Sequence, residues 1–300
     1  MKNCFFYQVH GFTVHSEIEC PELAPGRNDN PDVRVRFGSL SHIPLDEGRQ
    51  GTNNFTGEGN MLLNIRGVAR FSVRNGEEIV IDPCPEAEEG LLRLFLLGTA
   101  FGCILHQRKL LPLHANAILH KGEAVLFLGH SGVGKSTLAA AMKGRGYKVL
   151  ADDVCAVKVQ HGEEPLVYPG IPQIKLWKET VEYLGGDVNS MKRLFWEEEK
   201  YSLPVQHFYY DKPLRIKSMY VLHVHVGMKL SILDMNPLEK IHAIKNYTYR
   251  KGMVVKMGIV TGNLNMCGLL ARSAPLRIIL RPNTGFLLRE LIELIENDLQ

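Results

Sequence analysis

The segment from Ala124 to Lys143 constrains this chain more than any other. It reads Ala-Val-Leu-Phe-Leu, then Gly129-His130-Ser131-Gly132-Val133-Gly134-Lys135-Ser136, then Thr137 and an Ala-rich run. Five apolar residues in succession suit a strand covered on both faces of a sheet. The eight that follow match G-x-x-x-x-G-K-[ST], a pattern that needs a strand before it and a helix after it. Its glycines let successive backbone N–H groups turn inward as an anion nest. The helix starting near Lys135 aims the positive end of its dipole at the same point. Lys135, read as part of an exposed loop, is then the point charge for the β- and γ-phosphates of a nucleoside triphosphate. Ser136 is a hydroxyl ligand for Mg²⁺, and Gly129 through Thr137 form the wrap. ATP and Mg²⁺ are the cofactors this segment calls for.

Farther on, the strand Tyr-Lys-Val-Leu-Ala ends in Asp152-Asp153. In phosphate-loop proteins a carboxylate at the end of a neighbouring strand anchors the metal shell. Successive strand side chains point to opposite faces, so two adjacent Asp need not share one task. One can hold metal, and the metal set is written as Ser136 with Asp152. The other can face an incoming hydroxyl as general base. Spacing alone does not decide which Asp is which.

The rest of the chain is an ordinary globular sequence, 45% hydrophobic and 22% charged. Its net charge of +3 is too small to call for a nucleic-acid partner, which needs a basic face or stripe. Six Cys have no paired short spacing and read as reduced thiols. The N-terminus shows no signal-peptide pattern. The longest apolar stretch, Leu91 to Leu105, is broken by Arg93, Gly98 and Gly102 and is shorter than the roughly 20 residues a membrane span needs. A cytoplasmic protein without a membrane partner is the expectation.

Residues 1–83 read as a β-rich module with strands in FFYQVHGFTV, VRVRF, MLLNI and VARFSV, and a hairpin turn at Asn75-Gly76. An exposed edge among VRVRF, MLLNI and VARFSV could pair with an extended peptide. Residues 84–110 read as a connecting helix. Residues 111–300 read as an α/β catalytic domain with a central sheet and flanking helices. Within it, Leu113–Leu119 is expected as one strand, with helices at Ser136–Lys143, Leu176–Tyr183, Glu239–Tyr247 and 286–297. Glu197-Glu198-Glu199-Lys200 reads as a solvated helix face. Lys175 would be an exposed residue opening its helix or, fixed by the turn Pro169-Gly170-Ile171-Pro172, a contact to the γ-phosphate. His223 and His225 share a strand face but have no third ligand nearby, so packing is the reading. Arg272, Arg277 and Arg281 are candidates to stabilise transferred charge.

LPLHANAIL…AVLFLGHSGVGKSTLAAAMKGRGYKVLADDV resembles the catalytic domain of HPr kinase/phosphorylase over about residues 111–185. The resemblance implies a loop that binds ATP or pyrophosphate, and paired Asp that serve Mg²⁺ and a serine hydroxyl. It adds His114 to Lys135, Asp152 and Asp153 as a catalytic residue. It also suggests a homo-oligomer. Two departures stand out: His130 replaces the usual Asp, and Val167–Lys175 replaces a Gly-rich segment preceded by Glu and Arg. The N-terminal module is more similar to HPr-kinase-related proteins beside genes for peptide natural products, some of which phosphorylate the C-terminal serine of a lasso-peptide precursor. A kinase with a peptide or protein serine as substrate is therefore the leading expectation. A small-molecule kinase and an ATP-hydrolysing switch or assembly protein are the alternatives.

Overall fold

A computed structural model describes residues 4–27, 30–43, 53–56, 60–195, 198–227, 229–283 and 287–300. They form two compact units, residues 1–110 with 250–260, and residues 111–249 with 261–300.

The first unit is built on β1 (Phe5–Val9), β2 (Phe12–Ser16), β3 (Ala24–Pro25), β4 (Val33–Phe37), β5 (Asn53–Thr56), β6 (Asn60–Ile65), β7 (Ala69–Arg74) and β8 (Glu78–Pro83). They make one sheet in the order β3-β1-β2-β4-β8-β7-β6-β5. Asn75 and Gly76 turn the β7–β8 hairpin at φ +55° and +68°, the pair of left-handed residues a primed turn requires. FFYQVHGFTV is divided by a similar turn, with His10 at φ +54° and Gly11 at +82°. VRVRF, MLLNI and VARFSV are β4, β6 and β7, each paired on both sides, so none offers the edge expected for a peptide. Phe71, Val73, Ile79 and Ile81 are fully buried on these inner strands.

Residues 89–107 form one helical run: α1 (Glu89–Phe95), a π-helical segment over Leu96–Ala100, and α2 (Phe101–Gln107). Its 19 residues include an apolar window of mean hydropathy 1.3, long and apolar enough to cross a membrane by length and composition alone. Here 67% of that apolar window is buried and the run packs on β7, as a core helix does.

The second unit begins with β9 (Leu111–Leu113), β10 (Ala115–His120), β11 (Glu123–Leu128), α3 (Lys135–Gly144) and β12 (Val149–Ala151). Then come β13 (Cys155–Lys158), β14 (Leu166–Tyr168), β15 (Gln173–Trp177), α4 (Lys178–Tyr183), β16 (Lys192–Phe195), β17 (Glu198–Pro204) and β18 (Leu214–His225). The chain continues through β19 (Ser231–Asp234), α5 (Pro237–Asn246), α6 (Lys251–Lys256, grouped with the first unit), α7 (Val260–Ser273), β20 (Leu276–Pro282) and α8 (Leu288–Asp298).

The central strands β11, β18 and β20 are parallel, and β10 and β12 extend the sheet antiparallel beyond β11. Ala124, Leu126 and Leu128 face one apolar layer that includes Ala243 and Ile244 of α5 and Cys267 and Leu270 of α7. Val125 and Phe127 face another, with Leu138 and Met142 of α3 and Leu291, Ile292 and Ile295 of α8. The uninterrupted apolar run of β11 is thus explained by helices on both faces, and the fold class is α/β.

Three local expectations change. Leu113–Leu119 is two strands: β9 pairs with β13 and β10 with β11 and β12, and the chain parts at His114. Lys175 does not open a helix but lies inside β15, and α4 starts at Lys178. Glu198–Lys200 belongs to β17, the middle strand of the sheet β15-β17-β16, rather than to a helix, and Glu197 lies outside the described residues. The period-2 pattern of Gln-Ile-Lys-Leu-Trp accounts for this. Ile174 and Leu176 bury against Ala139 and Ala140 of α3, which leaves Gln173, Lys175 and Trp177 on the opposite face.

Candidate functional site

The loop between β11 and α3 takes a shape that only glycine permits at its ends. Gly134 has φ +100° just before α3 begins. A Cβ on Gly129 would lie 2.6 Å from Val133 Cγ1. The loop, Ser136, Thr137 and both Asp line one cavity of about 420 Å³.

Lys135 is not exposed: only 5% of it is accessible. Its Nζ donates to the carbonyls of Gly129 at 2.8 Å and His130 at 3.0 Å, and to His114 Nε2 at 3.0 Å. Burial pushes the ammonium down to about 8, against the pull of Asp153 and Asp152. Because Nε2 of His114 accepts from Lys135, the ring proton is assigned to Nδ1. From there it donates to the Asp153 carboxylate and to the Asp153 carbonyl, each at 3.1 Å. The parting of β9 and β10 aims His114 this way, and its backbone N–H is held by Tyr247 O at 2.7 Å.

The two Asp lie beyond the end of β12, so strand alternation does not separate them; both line the same cavity. They differ in their partners. Asp152 is 7% exposed; Oδ1 accepts from Ser136 Oγ at 3.0 Å and Oδ2 from the Lys175 backbone N–H at 2.8 Å. Burial, and then the neighbouring Asp153 charge, pushes its carboxyl up to about 6. Asp153 sits at φ +71°, a left-handed conformation that Asp tolerates better than most residues. Burial would raise its pKa too. However, the Lys175 ammonium at 3.1 Å and the His114 hydrogen bond hold it well below the usual carboxylate range. Burial works against the charge on Lys175 in turn, and Asp153 outweighs it and raises the Lys175 pKa.

Ser136 Oγ and Asp152 Oδ1 fit a small hard cation. Neighbouring ligands in an octahedral shell with bonds of about 2.1 Å lie about 3 Å apart, the separation these two oxygens have. Among the described residues no group of three or more His, Cys, Asp or Glu comes together as a metal cluster. His225 instead accepts from Gly227 N at 2.8 Å.

Of the three arginines, Arg281 reaches the loop, donating to Val133 O at 3.0 Å, and lines the cavity. Arg277 is paired with Asp234 and Asp298, and Arg272 lines a different hollow. His130 is exposed and meets Tyr247 edge-on at 5.1 Å. Thr137 Oγ1 lies 3.2 Å from Thr180 Oγ1. Sequence reasoning missed Trp177, Glu179, Thr180 and Lys200 on the cavity wall. The alternation Gln-Ile-Lys-Leu-Trp was the available signal, since it puts Trp177 beside Lys175.

The Asp152 shift has a sign that can be measured. Its folded-state pKa, about 6, exceeds the ordinary 3.8, so the folded chain holds the proton more tightly than the unfolded one. Its contribution to stability is fully present below about pH 4 and is lost as the pH rises through about 6. In chelator-treated protein, denaturant titrations at several pH values should show wild type losing stability relative to Asp152→Asn across that window. Parallel curves would contradict the assignment.

No protein-family model matches this chain, and no curated protein matches it. Among solved structures, it is similar to the Hpr(Ser) kinase/phosphatase from Coxiella burnetii. That match has 13% sequence identity and a TM-score of 0.33, and covers 62% of this chain and 95% of that one.

Proposed function

We propose that this chain is an Mg²⁺-dependent kinase that moves the γ-phosphate of ATP onto a serine hydroxyl of a peptide or protein. One observation carries the reading: two adjacent carboxylates in one cavity have separate partners, Asp152 with Ser136, and Asp153 with His114 and Lys175. The second, cation-held carboxylate beside the phosphate loop gives an incoming hydroxyl a hydrogen-bond acceptor separate from the metal-side Asp.

Ser136 and Asp152 would hold the Mg²⁺, which offsets the charge of the triphosphate. Lys135, released from the loop carbonyls, meets the β- and γ-phosphates, and Arg281 is placed to meet charge at the loop's far side. Asp153, ionised at any working pH, accepts the hydrogen bond of the acceptor hydroxyl. Its low basicity suits a loose transition state, in which the hydroxyl proton leaves late. The serine O–P bond forms, the bond from the γ-phosphorus to the bridging oxygen breaks, ADP leaves, and the hydroxyl proton, guided by Asp153, ends on the product phosphate or in solvent. Lys175 and His114 keep that carboxylate in place.

Support for a peptide acceptor comes from the sequence resemblance to proteins beside peptide natural-product genes. The C-terminal serine of a lasso-peptide precursor is the narrowest form of the proposal. The experiment is labelling from γ-labelled ATP with a short peptide ending in Ser, the same peptide ending in Ala, free serine and a sugar. Label should enter the Ser peptide alone. Efficient labelling of the sugar or free serine, with none in the peptide, would favour the small-molecule kinase.

Ser136→Ala should raise the Mg²⁺ concentration needed for half-maximal rate while leaving the maximal rate within reach of wild type. A neutral hydroxyl is one ligand among several, and water and phosphate oxygens supply most of a Mg²⁺ shell. An Mg²⁺ titration identical to wild type would remove Ser136 from the metal set.

A further inference from the structure

One cavity residue stands apart from the phosphate chemistry. Trp177, 37% exposed, ends β15 on the polar face that also carries Lys175, while its neighbour Leu176 is buried on the other face. Ligand pockets are lined mainly by apolar and aromatic side chains, with a few polar groups that fix orientation. Across the strand pair Trp177 sits opposite Lys200, whose Nζ lies 4.3 Å from the ring centroid. The cation thus braces one face of the indole.

The position of the ring points to which part of a nucleotide that ligand is. The reacting end of the site is marked by Lys135, His114, Asp153 and Lys175, joined by contacts of 3.0–3.1 Å. Two residues of extended strand carry the face about 7 Å from Lys175 to Trp177, a span comparable to a triphosphate tail. Three residues later Thr180 meets Thr137, the residue that follows Ser136 into α3. Along the chain Trp177 thus stands between Lys175, which meets the acceptor carboxylate, and Thr180, which meets the start of α3.

We infer that Trp177, braced by Lys200, is the platform on which the base of the bound nucleotide stacks. The inference rests on the phosphate-loop reading proposed above. An aromatic face stacks on any base, so the platform favours nucleotides over bare polyphosphate without choosing adenine over guanine.

The test is calorimetric binding of ATP, GTP and inorganic tripolyphosphate, each with Mg²⁺, to the full chain and to Trp177→Ala and Trp177→Phe. The alanine variant should weaken ATP and GTP about 5- to 150-fold, the range of one base stacked on an aromatic ring. Tripolyphosphate should bind it as it binds wild type, and phenylalanine should recover most of the nucleotide affinity. Unchanged ATP binding in the alanine variant overturns the inference. So does an equal loss for tripolyphosphate, which would make the ring structural. So does a raised acceptor KM with intact nucleotide affinity, which would place the acceptor on the ring. If wild type binds tripolyphosphate but Trp177→Ala leaves ATP unaffected, the phosphate-loop reading survives and this inference alone fails. If wild type binds neither ATP nor tripolyphosphate, both fail.

Discussion

Lys135→Ala is expected to all but abolish phosphate transfer, with a loss of about a hundred- to a thousandfold, the scale for removing a principal electrostatic contact to a transferring group. The residue is nearly inaccessible, so its effect on the fold must be weighed as well. Its loss removes a donor from the Gly129 carbonyl and from Nε2 of His114, while the His130 carbonyl keeps the Val133 N–H. Unpaired buried acceptors cost about 1–3 kcal/mol. Against this, the variant no longer holds a buried ammonium whose pKa is already depressed to about 8. The two effects oppose, so the melting temperature should move by only a few degrees, with the far-ultraviolet circular dichroism spectrum intact. A folded variant that still transfers label at near the wild-type rate would remove Lys135 from the chemistry.

Asp153→Asn should lower the rate about 10²- to 10⁴-fold, the usual range for a group that handles the acceptor proton. Asn tolerates the left-handed backbone found here, so the substitution removes the charge and keeps the shape. The Lys175 ammonium then lacks its carboxylate and His114 loses a charged acceptor, but Ser136 and Asp152 are untouched. Nucleotide affinity should therefore not fall and the Mg²⁺ requirement should not rise, since losing the Asp153 charge lets Asp152 ionise more readily. Asp152→Asn should show the complementary pattern, needing more Mg²⁺ for its half-maximal rate. Two variants with indistinguishable defects, or near-normal rates in both, would contradict the division of labour.

Much of the site was legible because its chemistry is local in sequence. The loop from Gly129 to Ser136 fixes its own shape through glycines and the start of α3, and the continuous apolar run before it suits a strand covered on both sides. The double Asp followed from its place after Tyr147–Ala151. The sequence did not show what divides the pair, because that depends on His114 and Lys175 arriving from other strands. Strand alternation was the wrong argument for them, since both Asp lie past the strand's end. Lys135 was misjudged as exposed for a related reason: a lysine in a glycine-rich loop reads as solvated until its carbonyl partners are in place. The sheet β15-β17-β16 was hidden by the charged run Glu197–Lys200, which suggested a helix. The pairing of β17 between two partners overrode that local preference.

Acceptor-dependent consumption of γ-labelled ATP, with ADP, phosphoester and free phosphate counted together, tests the central claim most directly. The account predicts that ADP appears only when a serine peptide is present, and that each ADP is matched by one phosphoester, stable to acid and released by alkali. Steady formation of ADP and free phosphate without acceptor, and without phosphoester when the peptide is added, would contradict it and identify the chain as a nucleotide hydrolase.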